Sequence, residues 1–204
     1  MKLTQILIAS SNPGKLREIQ EILQGQPFEL HLPVERGIRL EVVEDGLTYA
    51  ANAALKARAY AQAGNCITLA DDSGLEVDAL DGQPGLHSAR YSLKPGATDA
   101  DRRAFLLENL RGKARPWTAR FHCTVAIATP AGEIFFAEGN CPGEIVSEER
   151  GSNGFGYDPI FLLPERGLTM AELDSADKNQ ISHRARAIQA ALPVLLNLTQ
   201  SGEG

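Results

Sequence analysis

The sequence predicts an α/β fold with a mixed central β-sheet flanked by helices, on three observations. Ile6-Leu7-Ile8-Ala9 is a continuous apolar run of the kind buried on both faces of a sheet, and a helix-spaced stretch comes after it. Ile67-Thr68-Leu69-Ala70 is a second such run, preceded by an alanine-rich segment of helix-forming composition. Arg120 to Ala128 and Ile134 to Ala137 are joined by the turn Pro130-Ala131-Gly132, which predicts an antiparallel hairpin and therefore a sheet of mixed direction.

A chain of 204 residues is long enough for one domain, or one domain with a lobe, around a real core. Its 43% hydrophobic and 23% charged content is that of an ordinary globular protein. A net charge of −6 argues against wholesale nucleic-acid binding, so a polyanionic ligand needs a local cluster of donors or a metal. No apolar run reaches the roughly 18 residues of a membrane span, and no signal-peptide pattern opens the chain. The expectation is a cytoplasmic protein with neither a membrane nor a nucleic-acid partner. Cys66, Cys123 and Cys141 are isolated, odd in number and without metal-site spacing, and read as reduced core or near-surface residues.

Taken in order, the first strand ends in Ser10-Ser11-Asn12-Pro13-Gly14-Lys15. A helix then runs to about Gln24, with Leu16, Ile19, Ile22 and Leu23 at helical spacing and Gly25 as its stop. Strand, small polar loop and helix N-terminus with a lysine form the architecture of an anion site. Ala9 and Leu16 exclude a P-loop, which needs glycine and a hydroxyl there. A plain strand-to-helix turn with a solvated lysine is the competing reading. Residues 27–46 alternate apolar positions and then carry Glu41, Glu44 and Asp45. Leu47 to Ala63 reads as a helix capped by Thr48 or Asp45, closed by Gly64, and serving mostly as scaffold.

The strand at residues 67–70 is expected to stop at Asp71-Asp72-Ser73-Gly74, with Gly74 allowing a sharp turn. Adjacent carboxylates repel unless a cation offsets them, so this is either a divalent-metal site or a solvated Asp-Ser-Gly turn. Leu75 to Leu80 alternates like a separate, half-exposed strand, and the Gly/Pro-rich turn after it leads to His87, Ser88, Arg90 and Tyr91. Thr98 to Asp101 is a capping box for a helix through Arg111. His122 reads as a hydrogen-bonded core histidine.

Gly154-Phe155-Gly156-Tyr157-Asp158 combines close backbone approach, two stacking faces and a carboxylate acceptor, a combination that suits a heterocycle. Thr169-x-x-Glu172 caps a short helix. Lys178, His183 and Arg184 gather three cations ahead of a final helix in which Pro193 is a kink point. Gln200 to Gly204 read as a frayed end.

Four separate pieces thus each suit part of a nucleoside triphosphate. With Ser11-Asn12-Pro13-Gly14-Lys15, Ala70-Asp71-Asp72-Ser73-Gly74-Leu75, Pro84-Gly85-x-x-Ser88-Ala89-Arg90-Tyr91, Gly154 to Phe161 and Ser182-His183-Arg184 in order along nearly the whole chain, the sequence closely resembles the inosine triphosphate pyrophosphatase family. The resemblance implies two lobes with a substrate cleft between them, usually in a homodimer. It implies Mg²⁺-dependent hydrolysis of ITP, dITP and XTP to the monophosphate and pyrophosphate. Carried over, Ser10, Ser11, Asn12, Pro13, Gly14 and Lys15 grip the phosphates; Asp72 is the general base and a metal ligand, with Ser73 touching substrate. Phe155, Gly156, Tyr157, Asp158, Lys178, His183 and Arg184 hold the base and sugar. Glu44 stands near the family's other metal-binding acid, though Val43 occupies a position where some relatives have one; Glu41 and Asp71 are the alternatives. The different-class reading is a nucleotide-binding sensor without turnover, and the crowded acidic pair argues against it.

Overall fold

The structure is a computed structural model that describes residues 3–201. Seven strands form one sheet in the order β2-β1-β3-β4-β5-β6-β7. They are β1 Thr4–Ile8, β2 Phe28–His31, β3 Ile67–Val77, β4 Trp117–Ala128, β5 Ile134–Ile145, β6 Phe161–Leu163 and β7 Leu168–Thr169. The helices are α1 Pro13–Ile22, α2 Tyr49–Gly64, α3 Asp99–Leu110, α4 Ser175–Ile181 and α5 His183–Ser201. β1 pairs in parallel with both β2 and β3, whereas β6 pairs antiparallel with β5 and β7, so the sheet is mixed as expected.

The chain divides into two compact units. Unit 1 comprises Met1–Asp72, Cys123–Gly139 and Arg184–Gly204; unit 2 comprises Ser73–His122 and Asn140–His183. In unit 1, Ile6, Leu7 and Ile8 of β1 are fully enclosed because a parallel strand with neighbours on both sides has helices over both faces. Ile6, Ile8 and Leu69 pack with Ile19 of α1 and with Ile188 and Leu195 of α5. Ala53, Ala57 and Ala61 of α2 pack with Ala9, Ala70, Ala126 and Ala128, small side chains that bring helix and strands close. Unit 2 has its own core of Leu75, Leu106, Leu110, Phe121, Ile160 and Phe161, among others.

Local signals place most helix ends. Thr48 Oγ1 accepts from Ala51 N and starts α2. Thr98 and Asp101 form the expected capping box of α3, and Thr169 with Glu172 forms another, although the element it opens is a single 3₁₀ turn. Pro193 lies inside α5, and of the expected frayed end residues 202–204 lie outside the described residues. His122 is half-buried and bonded through Nδ1 to Asn140 Oδ1 at 2.8 Å, rather than a core residue. The three cysteines are reduced thiols, as expected. Among the described residues no helix is long and apolar enough to cross a membrane.

One expectation fails. β3 does not stop at the aspartates: it runs unbroken through Asp71-Asp72-Ser73-Gly74 to Val77, absorbing the first half of what reads as a separate strand. The cause is the neighbouring twelve-residue β4, against which a long central strand satisfies its backbone groups by staying extended. Leu75 N is also paired, donating to Ser88 Oγ at 2.9 Å. α4, which carries Lys178, is likewise absent from the sequence reading.

The alanine seam gives the first prediction. Ala57→Leu drives extra carbons into a contact with no room, and is expected to lower stability by about 1–3 kcal/mol in urea unfolding. An unchanged midpoint would show that the α2 seam is loosely packed.

Candidate active site

The first constellation lies wholly in unit 1. Asn12 caps α1, its Oδ1 accepting from Gly14 N at 2.9 Å and Lys15 N at 3.2 Å, while Ser10 Oγ accepts from Asn12 N. Pro13 sits where helices tolerate a missing N–H. The backbone donors of Gly14 and Lys15 are therefore already engaged, and what the loop presents to solvent is the exposed Ser11, Asn12 and Pro13 and the half-buried Ser10. Lys15 folds back, with Nζ 3.0 Å from Asp71 Oδ2.

Asp71 is enclosed at 1% exposure and receives three partners on Oδ2. Besides Lys15, Arg184 Nε donates at 3.1 Å, and the Cys123 thiol lies at 3.9 Å. Arg184, itself 1% exposed, also pairs through Nη1 with Glu18 on α1. Burial alone would raise the Asp71 pKa, but the charges of Lys15 and Arg184 outweigh it and hold the carboxyl well below the usual range. Burial and the neighbouring Asp71 charge push the Cys123 thiol well up, so it is no nucleophile. Asp71 Oδ1 is buried without a hydrogen-bond partner among the described residues.

Asp72 has a different environment. It is half-buried, and its Oδ2 accepts from Asn52 Nδ2 at 3.1 Å. Asn52 Oδ1 in turn accepts from Gly46 N at 2.8 Å, which ties the acidic 41–46 segment to α2. A Cβ on Gly46 would sit 2.7 Å from both Ala51 Cβ and Asn52 Oδ1, so glycine is required there. One turn along α2, Lys56 Nζ pairs with Glu44 Oε2 at 2.6 Å. Burial raises the Asp72 pKa above the usual carboxylate value and Glu44 adds to the rise, with Lys56, Lys15 and Asn52 opposing. Adjacent aspartates are thus pushed in opposite directions.

Among the described residues no cluster of three or more His, Cys, Asp or Glu forms a ready metal cage. Mg²⁺ does not require one, because it is commonly bound by one or two carboxylates together with substrate phosphates and water. Asp72 and Glu44, both neighbours of Lys56, are hard oxygen donors that fit such an ion, whereas Asp71 lies on the other face of β3.

The second constellation lies wholly in unit 2. Asp158, 3% exposed, accepts on Oδ2 from Phe155 N at 2.9 Å and from Lys178 Nζ at 2.5 Å. Gly154, at φ +73°, has no alternative, since a Cβ there would lie 2.0 Å from Asp158 Oδ2. Lys178 Nζ also stands 5.0 Å from the centre of the half-buried Phe155 ring. Tyr157 is buried, its hydroxyl donating to Ser88 O at 2.9 Å, so Phe155 is the ring left to stack on a ligand. His183 stacks on Phe121 at 4.7 Å between ring centroids. Ser73 is half-buried in β3.

The structure therefore brings Ser10–Lys15, Glu44, Asp72 and Arg184 into one unit, and Ser73, Phe155–Asp158, Lys178 and His183 into the other. Arg184, which the resemblance carries to the base or sugar, is enclosed by carboxylates. Sequence reasoning missed Glu18, Asn52 and Lys56. For α2 a signal existed: an asparagine is a poor helix former, and Asn52 and Lys56 share a face at i, i+4 in a row of alanines.

The Arg184 network yields a second prediction. Arg184→Ala removes the buried cation that Asp71 and Glu18 share, leaving Asp71 to Lys15, and is expected to cost about 3–5 kcal/mol by denaturant unfolding. A loss below about 1 kcal/mol would mean that water reaches these carboxylates.

Several known proteins are similar to this chain over nearly its whole length. A curated dITP/XTP pyrophosphatase of Nostoc sp. is 49% identical over 202 residues, 98% of each chain. One from Listeria monocytogenes serovar 1/2a is 47% identical over 188 residues, 92% of each. The structure of a Ham1 protein from Coxiella burnetii superposes with a TM-score of 0.86 at 40% identity, covering 96% of this chain and 100% of that one. The Staphylococcus aureus Ham1 protein gives a TM-score of 0.81 at 39% identity, covering 98% and 100%. The family model described as Ham1 matches residues 6–194, and the chain belongs to the Ham1 family.

Proposed function

We propose that this chain hydrolyses non-canonical purine nucleoside triphosphates, namely ITP, dITP and XTP, to the monophosphate and pyrophosphate, with Mg²⁺ as cofactor. The curated relatives carry a pyrophosphatase name, and in keeping with it the chain is a hydrolase acting on acid anhydrides. The observation that supports the reading best is the divided acidic pair. Asp71 is tied up in a buried ion network, whereas Asp72 remains half-accessible and is steered by Asn52.

Asp72 is the general base that takes the proton of a water attacking the α-phosphorus. Its half-accessible position beside Asn52 suits that role, since a base must lie within hydrogen-bond reach of the proton that it takes. Asp72 and Glu44 would hold Mg²⁺, which would supply neutralisation of the charge that develops on the pyrophosphate leaving group. Lys56 balances the two carboxylates between turnovers, and Lys15 and the 10–14 loop serve the phosphates. Arg184, which the resemblance carries to the base or sugar, also fixes Asp71 and α1.

Phe155 stacks the base, and the donors of Lys178 and His183 favour a 6-oxo purine. Adenine presents its own amino donor and leaves a buried donor unpaired, at about 1–3 kcal/mol per lost contact.

The test is pyrophosphate release from ITP, XTP, GTP and ATP with Mg²⁺, run beside Asp72→Asn. Fast release from ITP and XTP, little from ATP, and a loss in kcat of about 10²–10⁴-fold in the variant are expected. Orthophosphate as the product would move the attack to the γ-phosphate and overturn the mechanism. Tight binding without any product would make the chain a sensor.

A further inference from the structure

The aromatic glycine loop of unit 2 is held at a point that the proposed reaction does not use. Gly156, between Phe155 and Tyr157 and at φ +62°, has both of its backbone polar groups taken by the start of α3. Asp99 Oδ2 accepts from Gly156 N at 2.8 Å, and Arg103 Nη1 donates to Gly156 O at 2.8 Å. Asp99 and Arg103 are four residues apart and so share one helix face. Each is braced in turn. Arg103 forks onto Glu149, Nε to Oε1 and Nη2 to Oε2, both at 2.8 Å, and Arg102 Nη2 holds Asp99 Oδ1 at 2.5 Å. Arg102 also donates to Ala97 O, and the capping box fixes the turn from which Asp99 projects.

We propose that Asp99 and Arg103 are positioning residues for base recognition, setting the Phe155 ring and the Asp158–Lys178 pair by clamping the two peptide groups that flank the Gly156 Cα. The proposal rests on the functional reading above. A left-handed glycine is the most mobile hinge a loop can contain, and two charge-assisted hydrogen bonds on that residue remove its freedom before a ligand arrives. Burial pushes Asp99 upward, but its bonds to Arg102 and Gly156 prevail and keep it below the usual range, so the clamp holds its charge. Arginine is required at 103 because its planar fork serves a carboxylate and a carbonyl together, which a lysine point charge does not do.

The experiment compares ITP and ATP kinetics, by pyrophosphate release, in wild type, Asp99→Ala, Arg103→Ala, Glu149→Gln and the Asp99→Ala/Arg103→Ala double variant. The single alanine variants are expected to raise KM for ITP about tenfold with kcat within about twofold, and to narrow the ITP preference over ATP. The double variant should add little to either single one, because both hold the same residue, Gly156, from its two sides. Glu149→Gln, which spares both Gly156 contacts but loosens Arg103, should fall between; it decides alone if an alanine variant does not fold by circular dichroism. Unchanged KM and preference in folded variants, with only a lowered Tm, would overturn the proposal. A wild type that releases no pyrophosphate from ITP would defeat the functional reading instead. IMP titration calorimetry on wild type and Arg103→Ala then decides the clamp, equal affinity overturning it.

Discussion

The enclosed carboxylate of Asp71 is the constraint on which the rest of unit 1 depends. A buried charge is tolerated only when it is paired and hydrogen-bonded, and here the pairing draws on distant parts of the chain. Lys15 and Glu18 come from α1, Arg184 from the start of α5, and Asp71 itself from β3. One neutralised cluster therefore locks two helices onto the sheet beside the strand that carries Asp72. The polar loop at residues 10–15 is held by this charge pairing as much as by its own turn chemistry, since Lys15 is both the end of the loop and a partner of Asp71.

The same cluster explains how neighbouring aspartates acquire different environments. Alternation along β3 sends successive side chains to opposite faces, so identical residues meet different surroundings. Asp71 meets two cations and is fixed in its ionised form. At Asp72 burial prevails over Lys56, Lys15 and the Asn52 amide and raises the proton affinity, with Glu44 adding to the rise. When environment pushes two titratable groups apart, the group poised nearer neutrality is the one suited to exchange a proton. The anchored one supplies a fixed field.

What the sequence made legible were the features written locally. The β1-loop-α1 unit, the Thr98 capping box and the 128–134 hairpin turn each depend on residues within a few positions of one another. The passage of β3 through Asp71 and Asp72 was not legible, because two charges after an apolar run read as a strand end, and only β4 alongside makes continuation favourable. The role of Arg184 was hidden for a related reason. Its partner Asp71 is 113 residues away and Glu18 is 166 away, so nothing near Arg184 in the sequence announces the two carboxylates that pair with it. Tyr157 misleads in the same way: a tyrosine in a glycine loop suggests a stacking face, yet its ring is buried and its hydroxyl engaged by Ser88.

Both constellations share one principle of construction, which is that backbone groups near the reactive side chains are satisfied by protein before any ligand is present. In unit 1, Asn12 takes the first N–H groups of α1 and Asn52 takes Gly46 N. In unit 2, Asp158 takes Phe155 N, while Asp99 and Arg103 take both groups of Gly156. Ordering costs are then met in folding rather than in binding, which is how a small site gains affinity without more contacts. The glycines at 46 and 154 follow from the same demand. At each, a carboxylate or amide oxygen lies closer than a Cβ allows, so the short reach from side chain to backbone that organises the site is available only to a residue with no side chain of its own.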